Sequence, residues 1–308
     1  MSSRFVVQRL VQTLLTILLL SLIVFALARI SGDPVMIMAP PEATESDLEV
    51  LRAKLGLDQP LVVQYWVFIS NAAQGDFGTS IKWNTSAAEI IIERFPATIL
   101  LSATSMLFGL MLAIPVGILS AVKRDTWIDN VGKVVALTGQ SMPTFWFGIL
   151  LILFFSLYIP IFPTSGYGTI WHLILPSLTL GGFVAASIMR VTRSAMLDAL
   201  EADYVRTARS KGVAERSVVL IHAFRNAAIP IITITALQAA TILRGAVVTE
   251  SVFSWPGVGK IAVDAVYARD FPMVQAAVLF MGVVFLFMNL LVDLLYVWLD
   301  PRISYLKK

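Results

Sequence analysis

The chain has 308 residues, 57% of them hydrophobic and only 14% charged, and a mean hydropathy of +0.81. Soluble domains carry about 25% charged residues, so this composition belongs to a membrane protein. A net charge of +3 leaves no broad basic surface for nucleic acid, and the lack of cysteine excludes disulfides, iron-sulfur clusters and thiol catalysis. With only His172 and His222 available, a zinc or non-haem iron site would need carboxylates that the apolar segments hardly supply.

About 20 apolar residues cross ~30 Å of hydrocarbon as a helix, and uncharged runs place the spans. Leu10 to Ala28 is the first, too long for a signal-peptide core and without a small-residue cleavage site, so it reads as a retained anchor. The segment Arg29 to Arg94 follows, with nine acidic and five basic residues together with Tyr65, Trp66, Phe68, Phe77 and Trp83. Those aromatics predict a small folded unit outside the membrane. Within it, Glu45 to Leu55 reads as a helix with Leu48, Leu51 and Leu55 on one face and Gly56 as its stop. Ala97 to Val122, containing Pro115 and Gly117, is the second span. The uncharged stretch Val134 to Met189 is too long for one crossing, and Pro160, Pro163, Gly166 and Gly168 divide it into spans near Val134 to Ile159 and Leu173 to Met189. A fifth is expected near Ile229 to Thr249 and a sixth near Phe271 to Leu299. Six spans place both termini on one side.

Basic residues orient the chain. One side carries 15 Lys and Arg; the other carries seven, five of them in the long 29–94 loop, so the informative comparison is 15 against two. The first side is expected to be cytoplasmic. Two charges fall inside spans, Arg244 and Asp293. Arg244 reads either as snorkelling to the outer interface or as lining a passage; Asp293 either hydrogen-bonds with Asn289 inside the bundle or lines that passage. In Ser141-Met-Pro-Thr-Phe-Trp-Phe147, Pro143 frees a carbonyl in mid-span. A kink there places Met142 and Pro143 beside a passage, or is a plain packing kink like that at Pro115. Catalytic motifs fail. Asp76-Phe77-Gly78 has no kinase context, Gly257-Val-Gly259-Lys260 lacks phosphate-loop spacing, and His172 and His222 fall on opposite sides, which breaks any hydrolase triad. The chain therefore reads as a non-enzyme whose energy source lies in a partner or an ion.

The segment Arg190 to Ala228 carries the strongest signal. Arg193 to Ser210 lacks Pro and Gly and closes on Arg209, Lys211 and Gly212, as a helix with a left-handed glycine cap would. A second amphipathic stretch puts Val218, Ile221, Phe224 and Ala228 on one side. Asp203-Tyr-Val-Arg-Thr-Ala-Arg-Ser-Lys-Gly212, followed by His222-Ala-Phe-Arg-Asn226 and Ile229-Pro230, resembles the coupling loop of binding-protein-dependent ABC importer permeases in the dipeptide, oligopeptide and nickel branch. The general form there is Glu-Ala-Ala, three residues, Gly, then a late Leu-Pro. Arg206-Thr207-Ala208 and Gly212 match its first part; Arg225 stands where the late proline would fall, and Pro230 comes five residues on, a departure typical of the branch. Gly32-Asp33-Pro34, Leu55-Gly-Leu-Asp-Gln-Pro60, Gly75-Asp-Phe-Gly78, Ser254-Trp-Pro-Gly-Val-Gly259, Asp293 and Asp300-Pro-Arg302 resemble it too, so the likeness covers essentially the whole chain.

The resemblance implies an all-α membrane protein with six transmembrane helices in the type I ABC importer permease fold. It divides the chain into 1–94, with the first span and the extracytoplasmic unit; 95–299, the five-span core with coupling loop 190–228; and the tail 300–308. It implies a bacterial plasma-membrane permease for di- or oligopeptides, with glutathione or chelated nickel as alternatives and an ion-coupled secondary transporter as the rival class. Its partners would be a second homologous permease, two cytoplasmic ATPases that bind ATP and Mg, an extracytoplasmic solute-binding protein and lipid. Tyr204, Arg206, Thr207, Ala208, Lys211 and Gly212 would form the ATPase-coupling loop.

Overall fold

The computed structural model describes residues 3–30, 35, 44–54 and 56–299. The expectations resting on Gly32 to Pro34, Leu55, Asp300 to Arg302 and the tail 300–308 lie outside the described residues. The described chain is helical, with one isolated bridge between Thr79 and Ser86. Its helices are α1 (Ser3–Ile30), α2 (Glu45–Lys54), α3 (Leu61–Ala73), α4 (Ala87–Val122), α5 (Trp127–Ser141), α6 (Thr144–Tyr158), α7 (Ile170–Glu201), α8 (Asp203–Ser210), α9 (Glu215–Val252), α10 (Val258–Tyr267) and α11 (Phe271–Leu299). In hydrocarbon every backbone N–H and C=O needs a partner within its own segment, which makes helix the form for each apolar run. Five helices, α1, α4, α7, α9 and α11, are long and apolar enough to cross a membrane, and α5 with α6 supplies a sixth candidate as a broken pair.

That pair departs from the single kinked span expected near Val134 to Ile159. The helix stops at Ser141, Met142 and Pro143 are extended, and α6 leaves at 107° to α5. Proline sterically drives the preceding residue out of the α region, and Met142, at φ −83° and ψ 132°, sits where that clash sends it. The carbonyl of Pro143 then accepts from Phe147 N–H at 3.1 Å and starts the next helix.

The chain divides into two compact units. One comprises Ser2–Ala97 and Pro256–Leu290. Its core gathers Ile90, Ile91, Val258, Ile261, Met273 and Ala277, with Phe95 against Phe280 edge to face at 4.9 Å. Asp270, fully buried, accepts from Ser80 Oγ and from the backbone N–H groups of Lys82 and Met273, which ties the turn before α4 to the start of α11. Just before α2, Thr44 donates to Asp47 and holds its carboxyl below the usual carboxylate range. Gly56, at φ +63°, ends the helix as its sequence predicts.

The other unit is Thr98–Trp255 together with the chain from Leu291. Helix α7 is its centre, packed by α9, α5 and α6. Glycine sets the approach of α4 to α7: a Cβ on Gly181 would lie 2.5 Å from the Ser105 carbonyl oxygen, and one on Gly117 would meet Thr192 at 2.7 Å. Small residues at such crossings let backbones come close enough for dispersion to bind helices where lipid removes the hydrophobic drive. Glu250 is also fully buried here, and Thr98 Oγ1 donates to it at 2.6 Å.

Candidate coupling segment and pathway lining

The segment joining α7 to α9 differs from the expected single helix Arg193 to Ser210. Helix α7 runs on to Glu201, Ala202 is extended at φ −71° and ψ 149°, and α8 starts afresh at Asp203. Alanine has no local reason to break a helix; packing does it. The break turns Val205 and Ala208 inward, buried, toward the start of α9, where Val218, Val219 and Ala223 are buried in turn. The expected apolar stripe of that second stretch also shifts. Val218–Ala223 is a π-helical turn, which inserts an extra residue per turn and rotates the register. Val218, Val219, Ala223 and Ala227 are therefore the buried set, whereas Ile221 is 58% exposed. The stretch is continuous with α9, so it forms the first turns of that helix and is no separate element.

Helix α8 ends as its sequence predicts. Gly212 stands at φ +75°, Gly212 N–H donates to the Arg209 carbonyl at 3.0 Å, and Val213 N–H donates to the Ala208 carbonyl at 3.2 Å. This paired arrangement satisfies carbonyls that the helix end leaves open. Across the turn Arg209 grips Glu215 with both Nη2 (2.7 Å) and Nε (3.2 Å), and that hydrogen bonding raises the guanidinium above its ordinary value. Of the six residues expected to form the coupling surface, Tyr204, Arg206, Thr207, Lys211 and Gly212 are exposed and Ala208 is buried within the chain. Tyr204, Thr207 and Lys211, spaced by three and four, share one outward stripe. Arg206 leans back toward Asp203 at 3.4 Å. The result is a short helix clamped on its inner side and bare on its outer side.

An ion cluster centred on one fully buried carboxylate supports this segment. Asp129, in the first turn of α5 and fully buried, accepts from Arg193 Nε at 2.7 Å and Nη2 at 2.8 Å, from Lys133 Nζ at 2.8 Å, and from Asp125 N–H at 3.0 Å. Arg193 lies on α7, about two and a half turns before the break at Ala202. Along the sequence Arg193 and Lys133 read only as basic residues that orient the chain, and Asp129 carries no signal of its own. An acid and a base 64 positions apart give no periodic signal; only the Asp129–Lys133 spacing of four was visible.

The residues proposed to line a passage separate. Met142 lines a cavity of about 310 Å³ in the elbow between α5 and α6, with Leu112, Val135, Thr138, Phe147 and Phe183. Pro143 shapes that elbow. Neither Arg244, exposed on α9, nor Asp293, half-buried on α11, is part of its lining. The walls are apolar but for the hydroxyls of Thr138, Thr144 and Thr179, and Thr179 spends its proton on the Leu175 carbonyl. Such a surface gives passage or packing and no acid-base chemistry. Among the described residues no three His, Asp or Glu side chains gather as a metal site.

Residues 113–305 match the family model described as the binding-protein-dependent transport system inner membrane component, and residues 2–102 match the N-terminal component of the same systems. The glutathione transport system permease proteins GsiC of Escherichia coli K12 and of Salmonella typhi are each 44% identical over 302 residues, covering 98% of this chain and 99% of theirs. A chain of the MetNI methionine ABC transporter in inward-facing conformations superposes with a TM-score of 0.57 at 16% identity, over 68% of this chain and 96% of that one, a likeness of fold. The chain thus belongs to the inner membrane components of binding-protein-dependent transport systems, as a multi-pass, non-catalytic permease subunit of an ABC importer in the peptide and nickel branch.

Proposed function

We propose that this chain forms, with a second homologous permease, the inner-membrane pathway for short peptides of the glutathione class, and that α8 is where two ATPases drive it. One observation carries the substrate reading: the full-length likeness, at 44% identity, to permeases named for glutathione transport. The excess of basic residues, 15 against two, supports a cytoplasmic placement for both termini and α8. ATP and Mg belong to the partner subunits, and an extracytoplasmic binding protein delivers the solute. The lipid bilayer surrounds the apolar helices.

The geometry supports a mechanical coupling. Val205 and Ala208 seat α8 on the π-turn of α9, the glycine cap and the Arg209–Glu215 bridge fix its far end, and Asp129 ties α7 to α5 through Arg193. A push on Tyr204, Thr207 and Lys211 therefore reaches α7 and α9 as one rigid displacement, and α7 carries it to the α5–α6 elbow. The test is uptake of labelled glutathione by cells lacking the endogenous system and expressing this chain with its partners. Uptake that unlabelled dipeptide fails to compete out supports the reading. Transport of dipeptides with no transport of glutathione overturns the substrate assignment.

A further inference from the structure

Helix α3 behaves unlike the rest of the segment between α1 and α4. No charged residue stands between Asp58 and Asp76. Its outward side is apolar and wide open, with Leu61 63%, Val62 80%, Trp66 72% and Val67 51% exposed. On its inner side Tyr65 and Phe68 pack on Phe25 of α1, with ring centres 5.5 and 5.8 Å apart, and Tyr65 Oη lies 2.8 Å from Ser21 Oγ. Ser21 is fully buried.

The position of Ser21 along α1 sets the depth. The apolar part of α1 is Val7–Ile30, 24 residues. That is about 36 Å of helix around ~30 Å of hydrocarbon. Ser21 precedes Ile30 by nine residues, so it lies about 13 Å inside that end, and Phe25 about 7 Å inside. About 3 Å of helix overhangs the hydrocarbon at each end, so Ser21 lies about 10 Å and Phe25 about 4 Å inside its boundary, and the groups that hold α3 reach from the interface into the hydrocarbon. In water the outward face of α3 would be a continuous apolar patch of the kind soluble surfaces avoid; beside α1 it faces acyl chains.

The ends of α3 are prepared for the same medium. Pro60 begins it without an N–H to orphan, and Pro60 accepts from Val63 and Gln64. Buried Gln64 donates to the Leu57 and Gln59 carbonyls, closing the entry turn. At the other end Gln74 and Asp76 N–H donate to the Asn71 carbonyl and Gly75 N–H to that of Ala72. A segment entering lipid keeps its polar backbone groups bonded within itself; the C-terminal end of α3 does so, while at its start the Gln64 amide N–H groups are bonded and Gln64 Oε1 is left without a partner among the described residues.

We infer that α3 is a membrane helix: it lies against the second half of α1 in the leaflet at that end, with Leu61, Val62, Trp66 and Val67 in contact with lipid and Trp66 at the interfacial belt that favours indole. It anchors the chain between α1 and α4 to the bilayer and leaves α2, with its acids and bases, in water.

The chain has no cysteine, so a single introduced cysteine labels one site in it; this chain is labelled with nitroxide before it is combined with its partners. The permease complex is reconstituted in phosphatidylcholine and phosphatidylglycerol nanodiscs with V62C or V67C labelled, and E49C on α2 as the aqueous reference. Collision with oxygen and with a water-soluble nickel chelate is then measured. The expected result is strong oxygen collision with loss of nickel-chelate collision at both α3 sites, and the reverse at E49C. Nickel collision at Val62 and Val67 equal to that at E49C would place α3 in water and overturn the inference. Protection from both reagents would overturn it also, because a protein partner would then be covering the face.

Discussion

Replacement of Asp129 by asparagine keeps the volume and removes the charge. Four donors converge on this carboxylate: two from Arg193, one from Lys133 and one from the backbone of Asp125. Its side chain is fully buried, whereas Arg193 retains 21% and Lys133 44% of its exposure. Lys133 can turn to water, so its share is that of a surface pair, at most about 1 kcal/mol. Arg193 cannot fully escape, and the amide of an asparagine would aim N–H donors at a guanidinium. Breaking a buried pair costs about 3 to 5 kcal/mol; the partial exposure of Arg193 places this one near the lower end, about 3 kcal/mol. Replacing both partners, as Asp129→Leu with Arg193→Met, leaves no stranded charge and should cost far less than the sum of the single changes. The assay is reversible unfolding in mixed detergent micelles across the double-mutant cycle, with solute uptake measured in parallel. A coupling energy of about 2 kcal/mol is expected, with the double variant more stable than Asp129→Leu alone. Single changes that add to within about 0.5 kcal/mol, the behaviour of independent sites, would refute the clamp.

Gly212→Val should leave insertion intact and abolish ATPase co-purification together with uptake: the added Cβ meets nothing within 4 Å, so the whole penalty is the left-handed φ of +75°, about 1 to 2 kcal/mol, and it misdirects α8. Lys211→Ala, on the exposed stripe, should lower co-purification by no more than severalfold, since a solvated charge is worth at most about 1 kcal/mol; complete loss with Lys211→Ala beside a silent Gly212→Val would show that charge and not helix direction couples the subunits. Gly181→Leu should prevent assembly of a detergent-stable permease, because its first atom already collides with the Ser105 backbone at 2.5 Å, and a normal melting profile for that variant would remove the α4–α7 crossing from the account.

Much of this architecture was open to one-dimensional reading because hydrocarbon is an exacting solvent. It demands uninterrupted apolar runs and internally bonded backbone, so α1, α4, α7 and α11 stand out by composition alone, and α11 begins at the predicted Phe271. The glycine cap at Gly212 was equally legible, since a positive φ is a local demand with few residues able to meet it. The motif around Arg206 to Gly212 placed the chain in its family without reference to three dimensions. What escaped was whatever depends on residues meeting across the fold. Ala202 breaks a helix because Val205 and Ala208 gain burial on α9, and a π-turn rotates Ile221 out and Val219 in. Pro143 announced a disturbance, but the 107° turn comes from α5 and α6 packing separately on α7. Asp129, Glu250 and Asp270 looked like ordinary acids near the ends of apolar runs, yet each is fully buried on partners between 64 and 190 positions away. Solvent preference and backbone stereochemistry act residue by residue and are written along the chain, as are the local donors three or four positions from Asp129 and Asp270; the distant donors that let these acids be buried are brought by tertiary packing, and no spacing along the sequence encodes them.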